Sequence, residues 1–295
     1  MQPDLFFTCD KSMIDQLKIV VRPVQFSDRR QLTSLIQFGS HVHRHLDWRR
    51  PVDWIGYEPY LVAEVQGQMV GVLACPSHSH PATWIRLFAA TNGIPKKLVW
   101  EALWNAVREW FSSYQTCIVV IPMHTWFQEM LKSSGFECLT KVVMLIWEWP
   151  HPRLLQHSDT WAIRAMGYED LAEVQSVDAA AFDPIWQIPG DILNLALTQA
   201  AIATVAEASG QIVGYQISTT NSDGGHLARL AVNPSHQGQG VGFALVQDML
   251  TQFRRVGAIR VSVNTQTDNT ASLALYRKAG FQRTEEVYPV YRMKL

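Results

Sequence analysis

Hydrophobic positions along the chain follow two periods. In "FALVQDMLTQF" (Phe243 to Phe253), Phe243, Val246, Leu250 and Phe253 recur every three or four residues, which predicts an amphipathic helix. "LARLAV" (Leu227 to Val232) is instead a short apolar run closed by Pro234, the pattern of a buried strand. "VAEVQGQMVG" (Val62 to Gly71) and "VAEASGQIVG" (Val205 to Gly214) each place a glycine turn between two apolar runs, and each predicts a β-hairpin. These hairpins agree at seven of ten positions, at an offset of 143.

Other landmarks repeat in the same order. "VVRPVQFSDRRQL" and "AIRAMGYEDLAEV" align Arg22 with Arg164 and Asp28 with Asp170, and each reads as a strand, a turn and a helix with an acid in its first turn. "MLKSSGF" (Met130 to Phe136) and "LYRKAGF" (Leu275 to Phe281) each end a helix at a glycine and open the next strand with an aromatic. The near-constant offset predicts a tandem duplication of the α/β class. Each unit should read β-α-α-β-β-β-α-β-α-β and form a twisted, mostly antiparallel mixed sheet flanked by helices. Pro150 and Pro152 in "WPHPRLLQHSD" set the expected boundary, giving units over 1–149 and 150–295.

Between the strand at "LARLAV" and the helix at Phe243 stands "SHQGQGVG", with Gly238, Gly240 and Gly242 at alternate positions. Glycine weakens both strands and helices, so a trio at an element junction needs a reason. A glycine turn that opens a helix offers backbone N–H groups at the positive end of the helix dipole, an anion site suited to a pyrophosphate. A merely flexible turn is the competing reading. The absence of G-K-[ST] excludes a P-loop. A dinucleotide fingerprint fits poorly, because no acidic residue follows about 20 positions on.

"LAVNPSHQGQGVGFALV" resembles the acetyl-CoA-binding motif of the GNAT superfamily of N-acetyltransferases, [R/Q]-x-x-G-x-[G/A], with Gln237, Gly240 and Gly242 in its defined positions. "NTQTDNTASLALYRKAGF" resembles the family's next block. The resemblance covers residues 160–295 well and, through the repeat, 19–149 weakly. It implies direct transfer of an acetyl group from acetyl-CoA to a primary amine, on a small metabolite or a peptide N-terminus, without a covalent enzyme intermediate. It implies that Leu230, Ala231 and Val232 bond the pantetheine arm, and that Gln237, Gly238, Gly240, Val241 and Gly242 form the pyrophosphate loop. Asn269 and Ser272 match positions that contact the cofactor. Tyr276 matches the tyrosine that protonates the departing thiolate, with a packing aromatic as the other reading. His226 stands where some members carry a catalytic Glu, and is a candidate base or simply a histidine at a strand entrance. Phe182 and Trp186, with Asp183 as the nearby charge, form the expected acceptor wall. A non-catalytic acetyl-CoA sensor or interaction protein is the competing class.

The first half carries no such loop. At the hairpin offset Gln237, Gly240 and Gly242 fall on Ile94, Lys97 and Val99 and Pro95 removes a donor; at the offset of 145 shared by the two helix ends, Tyr276 falls on Leu131. This unit is expected to bind no acetyl-CoA and to complete the sheet or cover the acceptor cleft. "HVHRHLDWRRP" (His41 to Pro51) is read as a partly exposed loop rather than a metal site, because no cysteine or acidic set accompanies it.

Composition narrows the remainder. Of 295 residues 47% are apolar and 17% charged, with a formal net charge of -1, which fits a packed globular protein and gives nucleic acid no purchase. No apolar run reaches membrane-spanning length and no signal peptide is evident, so a cytoplasmic monomer or homodimer is expected. Cys9, Cys75, Cys117 and Cys138 form no C-x-x-C pair and are read as reduced thiols.

Overall fold

The computed structural model describes residues 18–77, 82–113, 115–149, 161–221 and 224–295. The first unit runs β1 (Val20–Pro23), α1 (Arg29–Phe38), β2 (His41–Arg44), β3 (Tyr60–Val65), β4 (Gln68–Ala74), β5 (Ala82–Trp84), β6 (Leu87–Ala90), α2 (Lys96–Trp110), β7 (Cys117–Val120), α3 (Thr125–Ser133) and β8 (Glu137–Glu148). The second runs β9 (Ala162–Ala165), α4 (Leu171–Ala181), α5 (Gly190–Gln199), β10 (Ile202–Ala208), β11 (Gln211–Asn221), β12 (Gly224–Val232), α6 (Val241–Arg255), β13 (Arg260–Gln266), α7 (Thr270–Ala279) and β14 (Gln282–Lys294).

The second unit follows the expected order throughout. The first departs from it twice: β2 and a 3-10 turn at Pro51–Trp54 stand where a second helix was expected, and β5 is an additional short strand between β4 and β6. The alternation in "HVH" suits a strand. β2 pairs antiparallel with β6, His41 opposite Ala90 and His43 opposite Phe88. His43 is therefore buried and packs on Phe127 at 4.5 Å, which corrects the reading of this segment as an exposed loop. Among the described residues no cluster of His, Cys, Asp and Glu could hold a metal.

The repeat is also a repeat of bonds. Arg22 forks onto Asp28 at 2.7 and 2.9 Å and reaches Glu64; Arg164 forks onto Asp170 at 2.7 and 2.8 Å and reaches Glu207. Each arginine ties the first strand to the turn before the first helix and to the neighbouring strand. Both hairpin turns place two residues at positive φ, Gln66–Gly67 and Ser209–Gly210, as a two-residue turn between twisted strands requires.

The sheets join the two units. A five-stranded sheet runs β1-β3-β4-β6-β2, and a nine-stranded sheet runs β5-β7-β14-β8-β13-β12-β11-β10-β9. β8 of the first unit lies between β13 and β14 of the second, while β14 lies between β7 and β8. Each unit has handed one strand to the other. The nine-stranded sheet therefore draws strands from both sides of the boundary expected at residues 149 and 150. Trp147 on β8 is buried in the same core as Val246, Phe253 and Val261 of the second unit. Burial of a large aromatic there contributes a few kcal/mol, about 3–5 on truncation to alanine.

β12 and β13 are the parallel neighbours of the second unit and pair only over Gly225–Leu227 and Val261–Val263. Beyond Leu227 they diverge. The wedge so opened receives the glycine loop at one end.

Candidate active site

Two of the three glycines are required by backbone conformation. Gly238 has φ +75° and Gly240 φ +92°, a region that side chains rarely adopt. Gly242 lies within α6, and a Cβ there would sit 3.3 Å from Leu275 Cδ2 and 3.5 Å from Val232 Cγ2. Gly240 is the N-cap of α6 and gives no side-chain cap. The first turn-closing bond runs from the Ala244 N–H to the Gly240 carbonyl at 3.0 Å, so the amides of Val241, Gly242 and Phe243 have no partner in the helix. The Gln237 side-chain amide donates to the Val232 carbonyl at 3.0 Å and fixes the loop to the end of β12. Such a turn fits a phosphate ester: free donors, no Cβ over Gly238, and a helix dipole behind them.

This loop opens on a cavity of about 1210 Å³. Leu230, Ala231, Val232, Gln237, Gly238, Gly240, Val241, Gly242, Asn269 and Ser272 all line it, as do Phe182, Asp183 and Trp186. Residues 90 positions apart in sequence, Phe182 and Ser272, thus share one space. Asn269 also caps α7, its Oδ1 accepting from the Ser272 N–H at 3.0 Å. The two expected catalytic side chains are not on the cavity wall. Tyr276 is 4% exposed, packed in the core beside Phe281 at 5.6 Å, and burial pushes its phenol above the ordinary range. His226 is turned to Ser262, whose Oγ lies 2.9 Å from Nδ1, and burial lowers its pKa so that it is neutral at pH 7.

Several residues of the site were not foreseen. Asp178 on α4, 1% exposed, accepts from the Tyr215 hydroxyl at 2.5 Å and from Arg229 Nε at 2.8 Å. Arg229 in turn donates to the Trp186 carbonyl at 2.8 Å, and its guanidinium lies 3.6 Å from the Phe182 ring centre. A buried ion pair on β12 and α4 therefore holds both aromatic residues of the loop over 182–189, the expected acceptor wall and hereafter the acceptor loop. The sequence carried a trace of it, an arginine inside the apolar run "LARLAV". The first unit holds the same loop from the other side: the Trp84 indole N–H donates to the Ile185 carbonyl at 3.2 Å, and the Trp84 and Trp186 rings lie 5.5 Å apart. Ala82, Cys117, Leu139 and Thr140 of the first unit line the cavity, together with Lys278, Arg292 and Lys294.

The counterpart region of the first unit is packed solid. A Cβ at Gly71 would meet Val99 Cγ1 and Leu103 Cδ1, and one at Gly214 would meet Val241 Cγ1 and Leu245 Cδ1, so Val99 occupies the place of Val241. The structural offset at this helix is therefore 142, one less than at the hairpins, and Gly242 corresponds to Trp100 rather than Val99. α2 begins a turn early, with Lys96 to Leu98 already helical where Gly238 to Gly240 form the loop. By strand register Leu230 corresponds to Phe88, because Gly71 pairs with Ala90 as Gly214 pairs with Val232. Ser272 corresponds to Phe127. Phe88, Trp100 and Phe127 pack on one another at 5.2 to 5.7 Å. Three residues that line a cavity in one unit are an aromatic cluster in the other.

Residues 168–281 match the model of the acetyltransferase (GNAT) family. The N-alpha-acetyltransferase RimI of Mycobacterium tuberculosis is 38% identical over 82 residues, 26% of this chain and 50% of that protein. The [ribosomal protein bS18]-alanine N-acetyltransferase of Escherichia coli strain K12 is 29% identical over 89 residues, 30% of this chain and 54% of that protein. The chain thus spans about half the length of these curated relatives. Over its whole length the fold is shared with a tandem GNAT protein from the clavulanic acid biosynthesis pathway, at a TM-score of 0.66 and 14% identity, covering 94% of this chain and 98% of that one. A GCN5-related N-acetyltransferase from Sphaerobacter thermophilus shares it at a TM-score of 0.60 and 16% identity, covering 94% and 95%.

Proposed function

We propose that the second unit transfers an acetyl group from acetyl-CoA to a primary amine. The observation that carries this reading is the convergence of the glycine loop, the splayed end of β12, the start of α7 and the acceptor loop on one cavity. Acetyl-CoA would lie with its pyrophosphate on the amides at Gly238 to Phe243 and its pantetheine arm along Leu230 to Val232. Amides on the diverging strand would bond the oxyanion that develops at the thioester carbonyl. The amine nitrogen attacks that carbonyl, the C–S bond breaks, and sulfur leaves as a thiolate. Tyr276, kept protonated by burial and not on the cavity wall, would supply the thiolate's proton through water. His226, neutral at pH 7, would accept the ammonium's proton through water, since its ring is not on the cavity wall. The relatives' names, N-alpha-acetyltransferase among them, support a peptide N-terminus as acceptor.

The first unit is proposed to bind no acetyl-CoA and to act as wall and sheet partner, and the aromatic cluster at Phe88, Trp100 and Phe127 supports this. Cys75, Cys117 and Cys138 are free thiols, which supports a reducing compartment. Among the described residues no helix is long and apolar enough to cross a membrane. Thiol release from acetyl-CoA, followed across a panel of amines, tests the reading. Wild type should turn over, and Tyr276→Phe should bind CoA while losing most of its rate. CoA binding without acetylation of any amine would favour a sensor instead.

A further inference from the structure

The cavity wall away from the glycine loop is basic, and it exists because of the strand exchange. β14 lies three strand positions from β12, at least about 14 Å at the usual spacing of neighbouring strands. Arg292 and Lys294 alternate along β14, so both face one side of the sheet, and both line the cavity. Neither forms an ion pair with a described residue; Glu137 lies opposite Arg292 in register without bonding it. Their floor is first-unit backbone: Lys294 pairs with Cys117, and Cys117 pairs with Ala82 on β5. β5 also carries Trp84, which holds the acceptor loop through Ile185 and Trp186. The basic pair therefore stands beside the acceptor loop. The acids on the same cavity are Asp183, on that loop, and Asp268, which accepts from the Thr140 hydroxyl at 3.1 Å.

Two cations with no ion-pair partner among the described residues create, in this cavity, a positive field that an oxyanion would satisfy by charge-assisted hydrogen bonds. We infer that Arg292 and Lys294 form an anion subsite for the acceptor, so that the amine acetylated by this chain carries a carboxylate or phosphate. Asp183 would face the acceptor's ammonium group and the β14 pair its oxyanion. The inference rests on the acetyltransferase reading for the word acceptor, although the subsite itself is defined by the cavity alone. The 3′-phosphate of CoA offers the same chemistry, and the experiment separates the two.

Wild type and the Arg292→Gln, Lys294→Gln double variant are compared as full-length chains, with melting temperature as a check on folding. Thiol release is measured with matched amines, phenylalanine against phenethylamine and O-phosphoethanolamine against ethanolamine. Binding of CoA and of dephospho-CoA is measured by calorimetry. Inorganic phosphate is then titrated into the CoA-saturated protein and read through tryptophan fluorescence, since Trp84 and Trp186 adjoin the subsite. Wild type should favour the anionic member of each pair in kcat/KM. The double variant should lose about ten- to a hundredfold of that preference, the worth of one or two charge-assisted bonds. Phosphate affinity should fall in parallel, with CoA affinity unchanged. Equal use of anionic and neutral amines by wild type would overturn the inference, as would a double variant that loses affinity for CoA and not for dephospho-CoA. Phosphate binding that needs Arg292 and Lys294, in a protein that acetylates no amine, would keep the subsite and defeat the acetyltransferase reading.

Discussion

Asp178 offers the sharpest test of how the acceptor loop is held. Its carboxylate is 1% exposed and accepts from Tyr215 at 2.5 Å, from Arg229 Nε at 2.8 Å, and from the Ile188 N–H at 3.3 Å. Asp178→Ala leaves the Arg229 charge, a phenol hydroxyl and a backbone amide without their acceptor in a largely dry site. Removing one partner of such a pair costs about 3–5 kcal/mol, because the charge left behind is uncompensated. At about 2–4 °C per kcal/mol the melting temperature should fall by roughly 6–20 °C. Taking all three polar partners away together, as Asp178→Leu, Arg229→Met and Tyr215→Phe, should recover much of the loss. The assay is urea denaturation of the single and combined variants. In the variants that fold, KM for the amine should rise, since Arg229 holds the Trp186 carbonyl and the Phe182 ring, while CoA affinity stays. A single variant within about 1 kcal/mol of wild type, or losses that simply add in the combined variant, would refute the argument.

Three further outcomes follow from the same structure. Gly240→Ala should lower stability by about 1–2 kcal/mol and weaken CoA binding, because φ +92° disfavours any side chain, whereas Gly242→Ala, at the position where the motif accepts alanine, should cost less in both; chemical denaturation and calorimetry on both variants check this. Stability should fall as pH drops from 6.5: burial holds His43 at about 3 in the folded chain against 6.5 unfolded, so the unfolded state takes the proton first. The slope is up to about 1.4 kcal/mol per pH unit for this one group, and His43→Leu should flatten it in urea titrations between pH 7 and 4.5. Calorimetry should find one CoA per chain, and Gly240→Glu should abolish it; a second, unaffected site would place cofactor in the first unit.

Much of the fold could be read in advance because the duplication prints each element twice. Arg22 with Arg164, and Glu64 with Glu207, are visible as letters and recur as the same ion-pair fork. The cofactor wall was legible for a similar reason, since free backbone donors require glycine and glycine is conspicuous. What escaped notice depended on pairing over long separations. Nothing local in "ECLTKVVMLIWE" says that it will sit between two strands of the other unit. β2 was misjudged because three histidines look polar, although burial makes the His43 ring a neutral aromatic surface for Phe127. Tyr276 and His226 matched positions in a pattern, and their burial depends on neighbours that no pattern records.

The exchange of β8 and β14 bears on how the chain comes to be folded at all. One edge of β7 pairs with β5, but the other finds its partner in β14, which is synthesised more than 160 residues later. A growing chain that has completed the first unit's helices would still expose the open edges of β7 and β8. Contacts so distant in sequence form slowly, and unpaired edges are where strands from different molecules meet. Expression of either half alone would leave such an edge permanently bare, so the duplicated halves, however similar in plan, have become obligate partners in a single folding event.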